Sequence, residues 1–205
     1  IFKNNQDKTT KNLTIKSGNL IEISASAVRY NLGETVSITG TSEPNKSTTI
    51  WIKDQDKKIV IYDVITSDGS GNLNYEFVTD DRFSAGTYAA IIKQEDGADA
   101  TLFGIGQYPS TSVIALLEKT NFALNSKAIL NVVGPPSSNL TVAVLDSNDN
   151  LKISNIIATN SLGKVKHTVD LDGLSAGVYR IAVSVQNIQD SVKFSIGLES
   201  GSGSI

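Results

Sequence analysis

The sequence predicts an all-β chain built as two tandem antiparallel sandwiches. Three observations predict it: an internal repeat, short apolar-alternating runs broken by turn residues every 8 to 12 positions, and no sustained 3.6-residue period. The repeat is the strongest of these. Ser84-Ala85-Gly86-Thr87-Tyr88 recurs as Ser175-Ala176-Gly177-Val178-Tyr179, and Phe103-Gly104-Ile105-Gly106 recurs as Phe194-Ser195-Ile196-Gly197, both at an offset of 91 residues. Further upstream, Ile50-Trp51-Ile52-Lys53-Asp54 aligns with Val142-Ala143-Val144-Leu145-Asp146, and Gly71 with Gly163, at an offset of 92, so one loop residue differs between the copies.

The repeat sets the organisation: an N-terminal extension at 1–19, a first domain at 20–106, a second at 107–197 and a Gly/Ser tail at 198–205. Only Gln107-Tyr108-Pro109-Ser110 remains as linker, too short for free tumbling. Seven strands are expected in the first copy, near 20–29, 35–40, 48–54, 58–66, 72–79, 86–94 and 99–105. Turns fall at Asn31-Leu32-Gly33, Pro44-Asn45, Gln55-Asp56-Lys57 and Asp68-Gly69-Ser70-Gly71. The second copy repeats them near 111–119, 127–133, 140–146, 151–158, 164–170, 177–186 and 190–197. Seven short strands per copy with this turn spacing specify an immunoglobulin-like sandwich. In the Ala-Gly-x-Tyr motif, glycine permits a corner, and the tyrosine buries its ring while its hydroxyl bonds back to the preceding loop.

The residues Gly33-Glu34-Thr35-Val36-Ser37-Ile38-Thr39-Gly40, Ile50-Trp51-Ile52-Lys53-Asp54, Ser67-Asp68-Gly69-Ser70-Gly71 and Ala85-Gly86-Thr87-Tyr88, in that order, resemble the Ig-like repeats of archaeal S-layer and other cell-surface proteins, particularly those of ammonia-oxidising archaea. The resemblance spans both copies and is better in the first. It implies a lattice, stalk or adhesive role outside the cell, with neighbouring surface domains or further copies as partners.

Comparing the copies assigns faces, since positions apolar in both belong to the core. Ile50, Ile52, Ile59, Ile61, Tyr88, Ile92, Phe103 and Ile105 pair with Val142, Val144, Leu151, Ile153, Tyr179, Val183, Phe194 and Ile196. The alternate positions diverge. Trp51, Val60, Tyr62, Ile91 and Leu102 stand where the second copy has Ala143, Lys152, Ser154, Ala182 and Lys193. Their four strands lie side by side in one sheet of such a sandwich, so the five residues form an apolar contact patch. The 1–19 segment, the other domain or a neighbouring subunit would cover it. A register slip of one residue on the third strand would instead bury Trp51 in the sandwich. Lys11-Asn12-Leu13-Thr14-Ile15-Lys16 alternates like a strand, and Leu13 and Ile15 are candidates for packing on their own domain or for donation to another molecule's sheet edge.

Chemistry is sparse. Cysteine is absent, which excludes disulfides and thiolate chemistry, and His167 is the only histidine. Because His167 aligns with Tyr75 on a strand, the expectation is no enzyme and no catalytic residue. The net charge of -3 removes the basic surplus that nucleic-acid binding needs. No apolar run reaches the roughly 20 residues of a membrane helix. The chain begins at Ile1-Phe2 without methionine, as a processed product would. Asp146-Ser147-Asn148-Asp149-Asn150 opens like a calcium loop. It lacks the central glycine, and its twelfth position is Ile157, so it reads as a turn. Asp80-Asp81 and Asp170 with Asp172 are unspecific carboxylate clusters. No cofactor is expected, with calcium the one candidate. Sequons at Asn12, Asn45 and Asn139 are candidate glycosylation sites on a secreted chain. The functional expectation is a structural surface module making contacts through its first domain. A filament subunit or adhesin assembled by strand donation, or a carbohydrate-binding module using Trp51 and Tyr62, are the alternatives.

Overall fold

A computed structural model describes residues 21–94 and 97–198. The first domain contains β1 (Glu22–Ala25), β2 (Arg29–Tyr30), β3 (Thr35–Thr41), β4 (Ser47–Asp54), β5 (Ile59–Thr66), β6 (Asn72–Val78), β7 (Gly86–Gln94) and β8 (Gly97–Ile105). They form a three-stranded sheet in the order β1-β3-β6 and a five-stranded sheet in the order β2-β8-β7-β4-β5. The second domain repeats this with β9 (Ile114–Leu117), β10 (Asn121–Phe122), β11 (Lys127–Val133), β12 (Asn139–Asp146), β13 (Leu151–Ala158), β14 (Lys164–Asp170), β15 (Gly177–Val185) and β16 (Ile188–Ile196). Its sheets run β9-β11-β14 and β10-β16-β15-β12-β13. The chain is two tandem immunoglobulin-like sandwiches, each around its own core: one built on Ile23, Ile50, Tyr88 and Phe103, the other on Leu130, Val142, Tyr179 and Phe194.

The first strand expected at 20–29 gives way to two strands, and the one expected at 111–119 holds β9 alone. β1 pairs antiparallel with β3, then the chain crosses the sandwich and β2 pairs parallel with β8. Tyr30 anchors the crossing, its hydroxyl accepting the Ala27 N–H at 2.8 Å. In the second copy the crossing places β10 beyond the expected strand. An apolar run carries no mark of which sheet it serves.

Two core assignments need correction. Ile59 and Leu151 are 48% and 59% exposed. In both copies the ladder slips by one residue, after Ile52 and after Val144, leaving Val60 and Lys152 as bulged residues. A bulge inserts one residue and inverts the alternation beyond it. Ile59 and Leu151 therefore turn outward, while Val60 packs on the first core. The remaining paired positions are buried, with Ile153 half-buried against its core.

The buried rings and back-bonded hydroxyls of the two tyrosine corners form as read, whereas Gly86 and Gly177 take no positive φ, so the corner does not draw on a left-handed glycine. The Tyr88 hydroxyl accepts the Ser84 N–H and donates to the Ser84 carbonyl, both at 3.0 Å, and the Tyr179 hydroxyl donates to the Ser175 carbonyl at 2.8 Å. Gly71 and Gly163 repeat for a steric reason: φ is +86° and +75°, and a Cβ would lie 2.4 Å from the Ser42 carbonyl and 2.3 Å from that of Gly134.

Candidate functional site: the face between the two domains

Trp51, Ile91 and Leu102 project from the outer face of β4, β7 and β8, where Trp51 pairs with Ile91 and Leu102 with Ala89. With Ala89 and Ala100 they form one apolar cluster with Ile114, Leu116 and Val133 of the second domain. Of the three covers left open by the sequence, the second domain is the one seated there. Ile91 is 8% exposed and Val133 5%. Tyr62 lies at the rim, 63% exposed, its ring 6.1 Å from that of Trp51. Val60 does not reach this face, for the reason the bulge gives.

The second domain's half of the contact has its own logic. The paired registers make Glu22, Ser24 and Thr41 the counterparts of Ile114, Leu116 and Val133. These three positions are polar and exposed in the first domain and apolar in the second. The outer sheet runs the other way: Ala89, Ile91, Ala100 and Leu102 oppose Arg180, Ala182, Ser191 and Lys193. Each domain thus carries one apolar face where its twin carries a polar one, and the two apolar faces meet. A well-buried aliphatic side chain contributes about 1.5–3 kcal/mol, and the tether removes most of the entropic cost of association.

Two ion pairs bracket the contact. Asp99 accepts the Ile23 N–H at 2.8 Å and the Lys164 Nζ at 2.5 Å, and that ammonium also donates to the Ile23 carbonyl at 2.7 Å. The counterpart of Asp99 is Asp190. It accepts the Ala115 N–H at 3.0 Å, Ala115 being the counterpart of Ile23, and pairs with Lys57 across the domains. In both copies, then, an aspartate on the last strand holds the first strand's backbone and takes a lysine from the other domain. The Asp99 pair is well buried, whereas the Lys57 side chain is 66% exposed. A cavity of about 270 Å³ opens beside the contact, floored by Ile91 and Leu116 and rimmed by Lys57 and Asp190.

The linker is fixed as well. Ser110 donates its N–H to the Thr87 hydroxyl at 2.8 Å, and the two hydroxyls lie 2.9 Å apart. The linker crosses Gly104 so closely that a Cβ there would lie 1.9 Å from the Gln107 carbonyl. Its counterpart, Ser195, carries a side chain.

Sequence reading missed Ile114, Leu116, Val133, Asp99, Asp190, Lys57 and Lys164. A signal existed for most of them. Val113-Ile114-Ala115-Leu116-Leu117 is apolar on both faces, as a strand buried on both sides must be. Asp99 and Asp190 match at the repeat offset, each four residues before a core phenylalanine and so in phase with the inward face.

The other candidates are dispersed. Asn12, Leu13 and Ile15 lie outside the described residues. Asn45 sits in a left-handed turn (φ 54°) whose counterpart is Ser137 (φ 49°), whereas Asn139 is the first residue of β12, so the two sequons are not equivalent positions. Both asparagines are exposed. The Asp146 carboxylate accepts the Asn148 and Asn150 backbone N–H groups at 2.9 Å and the Lys152 ammonium at 3.1 Å. The Asn150 amide and these N–H groups hold its pKa well below the usual carboxylate range. His167 Nε2 faces the Asn155 amide at 3.4 Å. Among the described residues no group of three or more carboxylates or histidines is placed to hold a metal ion.

No protein-family model matches the chain, and no curated protein does. Solved structures similar to it include a tetra-tandem repeat from the extending region of a large adhesion protein, at 17% identity and a TM-score of 0.38, covering 87% of this chain and 49% of that one. The adhesin InvE of Yersinia pseudotuberculosis is 12% identical with a TM-score of 0.35, covering 88% and 61%. A Salmonella alpha-2-macroglobulin mutant is 11% identical with a TM-score of 0.39, covering 87% and 15%. The chain spans about half the length of the first of these.

Proposed function

We propose that the chain is a non-catalytic structural module of an extracellular surface protein, in which two sandwiches act as one rigid body. The observation that carries this reading is the contact between the domains. An apolar face, two bracketing ion pairs and a pinned linker hold the pair in one arrangement, which suits a part that must hold a spacing. The sequence resemblance to cell-surface Ig-like repeats and the exposed sequons at Asn45 and Asn139 support a place outside the cell. A lattice of the S-layer kind is the finer form of this proposal.

Antibody labelling of intact source cells tests it: signal is expected without permeabilisation, and signal only after permeabilisation refutes the surface reading. Electron microscopy of native material then separates sheets from filaments. A carbohydrate platform on Trp51 and Tyr62 is less favoured, because Trp51 is engaged with the second domain and Tyr62 alone is freely exposed.

A further inference from the structure

The twin domains also differ at their outer sheet edges. β5 and β13 each end a five-stranded sheet, and an edge strand presents unpaired N–H and C=O groups that template another strand. The Ser67 N–H donates to the Lys46 carbonyl and the Thr159 N–H to the Ser138 carbonyl. By the alternation of an antiparallel ladder, the amides pointing away from the sheet belong to Tyr62, Val64 and Thr66 on β5, and to Ser154, Ile156 and Ala158 on β13.

The β5 edge is guarded. The Asp63 carboxylate accepts the Val64 N–H at 2.7 Å, which blocks the central donor and places a charge on the edge. On β13 the same position is Asn155, whose amide turns to His167 instead. No described side chain takes the Ser154, Ile156 or Ala158 N–H. Lys152, the only charged residue of β13, is drawn back to Asp146. Ile156 is 76% exposed, more than any other large hydrophobic residue described.

We infer that the β13 edge pairs with β13 of a second copy, antiparallel and centred on Ile156. In this register Ile156 meets its own copy, Ser154 meets Ala158 of the partner subunit, and Lys152 meets Asn160 of the partner subunit, so no charge opposes a like charge. About six N–H···O=C bonds form across the seam, and the two Ile156 side chains cover one another. This self-complementarity favours a second copy over an unlike strand, since a twofold contact requires each residue to suit its symmetry mate. A single strand pair is smaller than a standard interface, so the dimer is weak and reversible. The inference goes beyond the structural-module reading and does not depend on it.

The chain contains no cysteine, so one introduced thiol reports the register. In the centred pair the two Ile156 Cα atoms lie about 5.5 Å apart, within disulfide range, while the two Ser154 Cα atoms, four residues apart along the strands, lie about 14–15 Å apart, beyond it. Under mild oxidation, Ile156→Cys is expected to form a covalent dimer at least about ten-fold faster than Ser154→Cys. In sedimentation velocity the unmodified chain is expected to show a concentration-dependent dimer that Ile156→Lys abolishes and Val64→Lys, on the guarded edge, leaves intact. Equal cross-linking at both positions, or no dimer up to about 1 mM, overturns the proposal. Loss of the dimer on deleting residues 1–19 also overturns it, by assigning the edge to that segment.

Discussion

Replacing Ile91 with alanine removes most of one buried side chain from the domain contact and nothing from either core. Ile91 is 8% exposed, and its cover is Ile114, Leu116 and Val133 of the other domain. Its counterpart is Ala182, so alanine suits the strand. An isoleucine-to-alanine change at a buried site costs about 2–5 kcal/mol, and here that loss falls on the coupling between domains. For a unit of this size, a loss of about 3 kcal/mol lowers Tm by roughly 6–12 °C when the pair melts as one. Trp51, the only tryptophan, lies in the same cluster, so its fluorescence reports the contact while circular dichroism reports the strands of both sandwiches. In urea the two signals are expected to coincide for the unaltered chain. In Ile91→Ala they are expected to separate, with fluorescence changing first. A Tm shift below about 1 °C with unchanged Trp51 emission would show that the faces do not meet.

Three further outcomes follow from the same geometry. A double-mutant cycle on Asp99→Asn and Lys164→Gln is expected to give a coupling of about 1–2 kcal/mol in urea, whereas Lys57→Gln with Asp190→Asn gives under about 1 kcal/mol because Lys57 is mostly solvated; the reverse order would refute the ranking. Gly104→Ala drives a methyl group into the Gln107 carbonyl and is expected to lower stability by about 1–3 kcal/mol, while Ser195→Ala has little effect; equal shifts in thermal melting would contradict the linker's path. Hydrogen bonds from Asn72 and Ser70 hold Asp68 below its usual range, as those of Asn150 and Asn148 do Asp146. Both folded-state values are depressed, so their contribution is fully present above the unfolded carboxylate value of ~4 and is lost as pH falls through the lowered values. Carboxyl NMR titration is expected to place both below the unfolded carboxylate value, and a value at or above ~4 for either would refute the turn geometry.

How much of this was legible in the sequence differs by element. The repeat offset, the strand spacing and the paired apolar positions such as Ile50 with Val142 and Phe103 with Phe194 gave the two sandwiches and most of both cores. These features are local, because a strand's alternation is written into the chain. Trp51, Ile91 and Leu102 differ from their twins in the sequence itself, and in the structure they share a cluster with Ile114, Leu116 and Val133. The bulges at Val60 and Lys152 were not legible, since a bulge shows only when a strand is laid beside its neighbour, and they misplaced Ile59, Leu151 and Val60. The crossing of each first strand between sheets was hidden for the same reason.

The sequence by itself determined that one domain was copied, what the copies share, and that their surfaces had parted. Tertiary structure decided what the parting means. Only in three dimensions do Ile114, Leu116 and Val133 come to face Trp51, Ile91 and Leu102, and only there do Asp99 and Asp190 each receive a lysine from the opposite domain. The physical reason is distance along the chain. Burial within a strand follows a two-residue period that any reader can count, whereas a contact between sheets depends on how two finished surfaces fit.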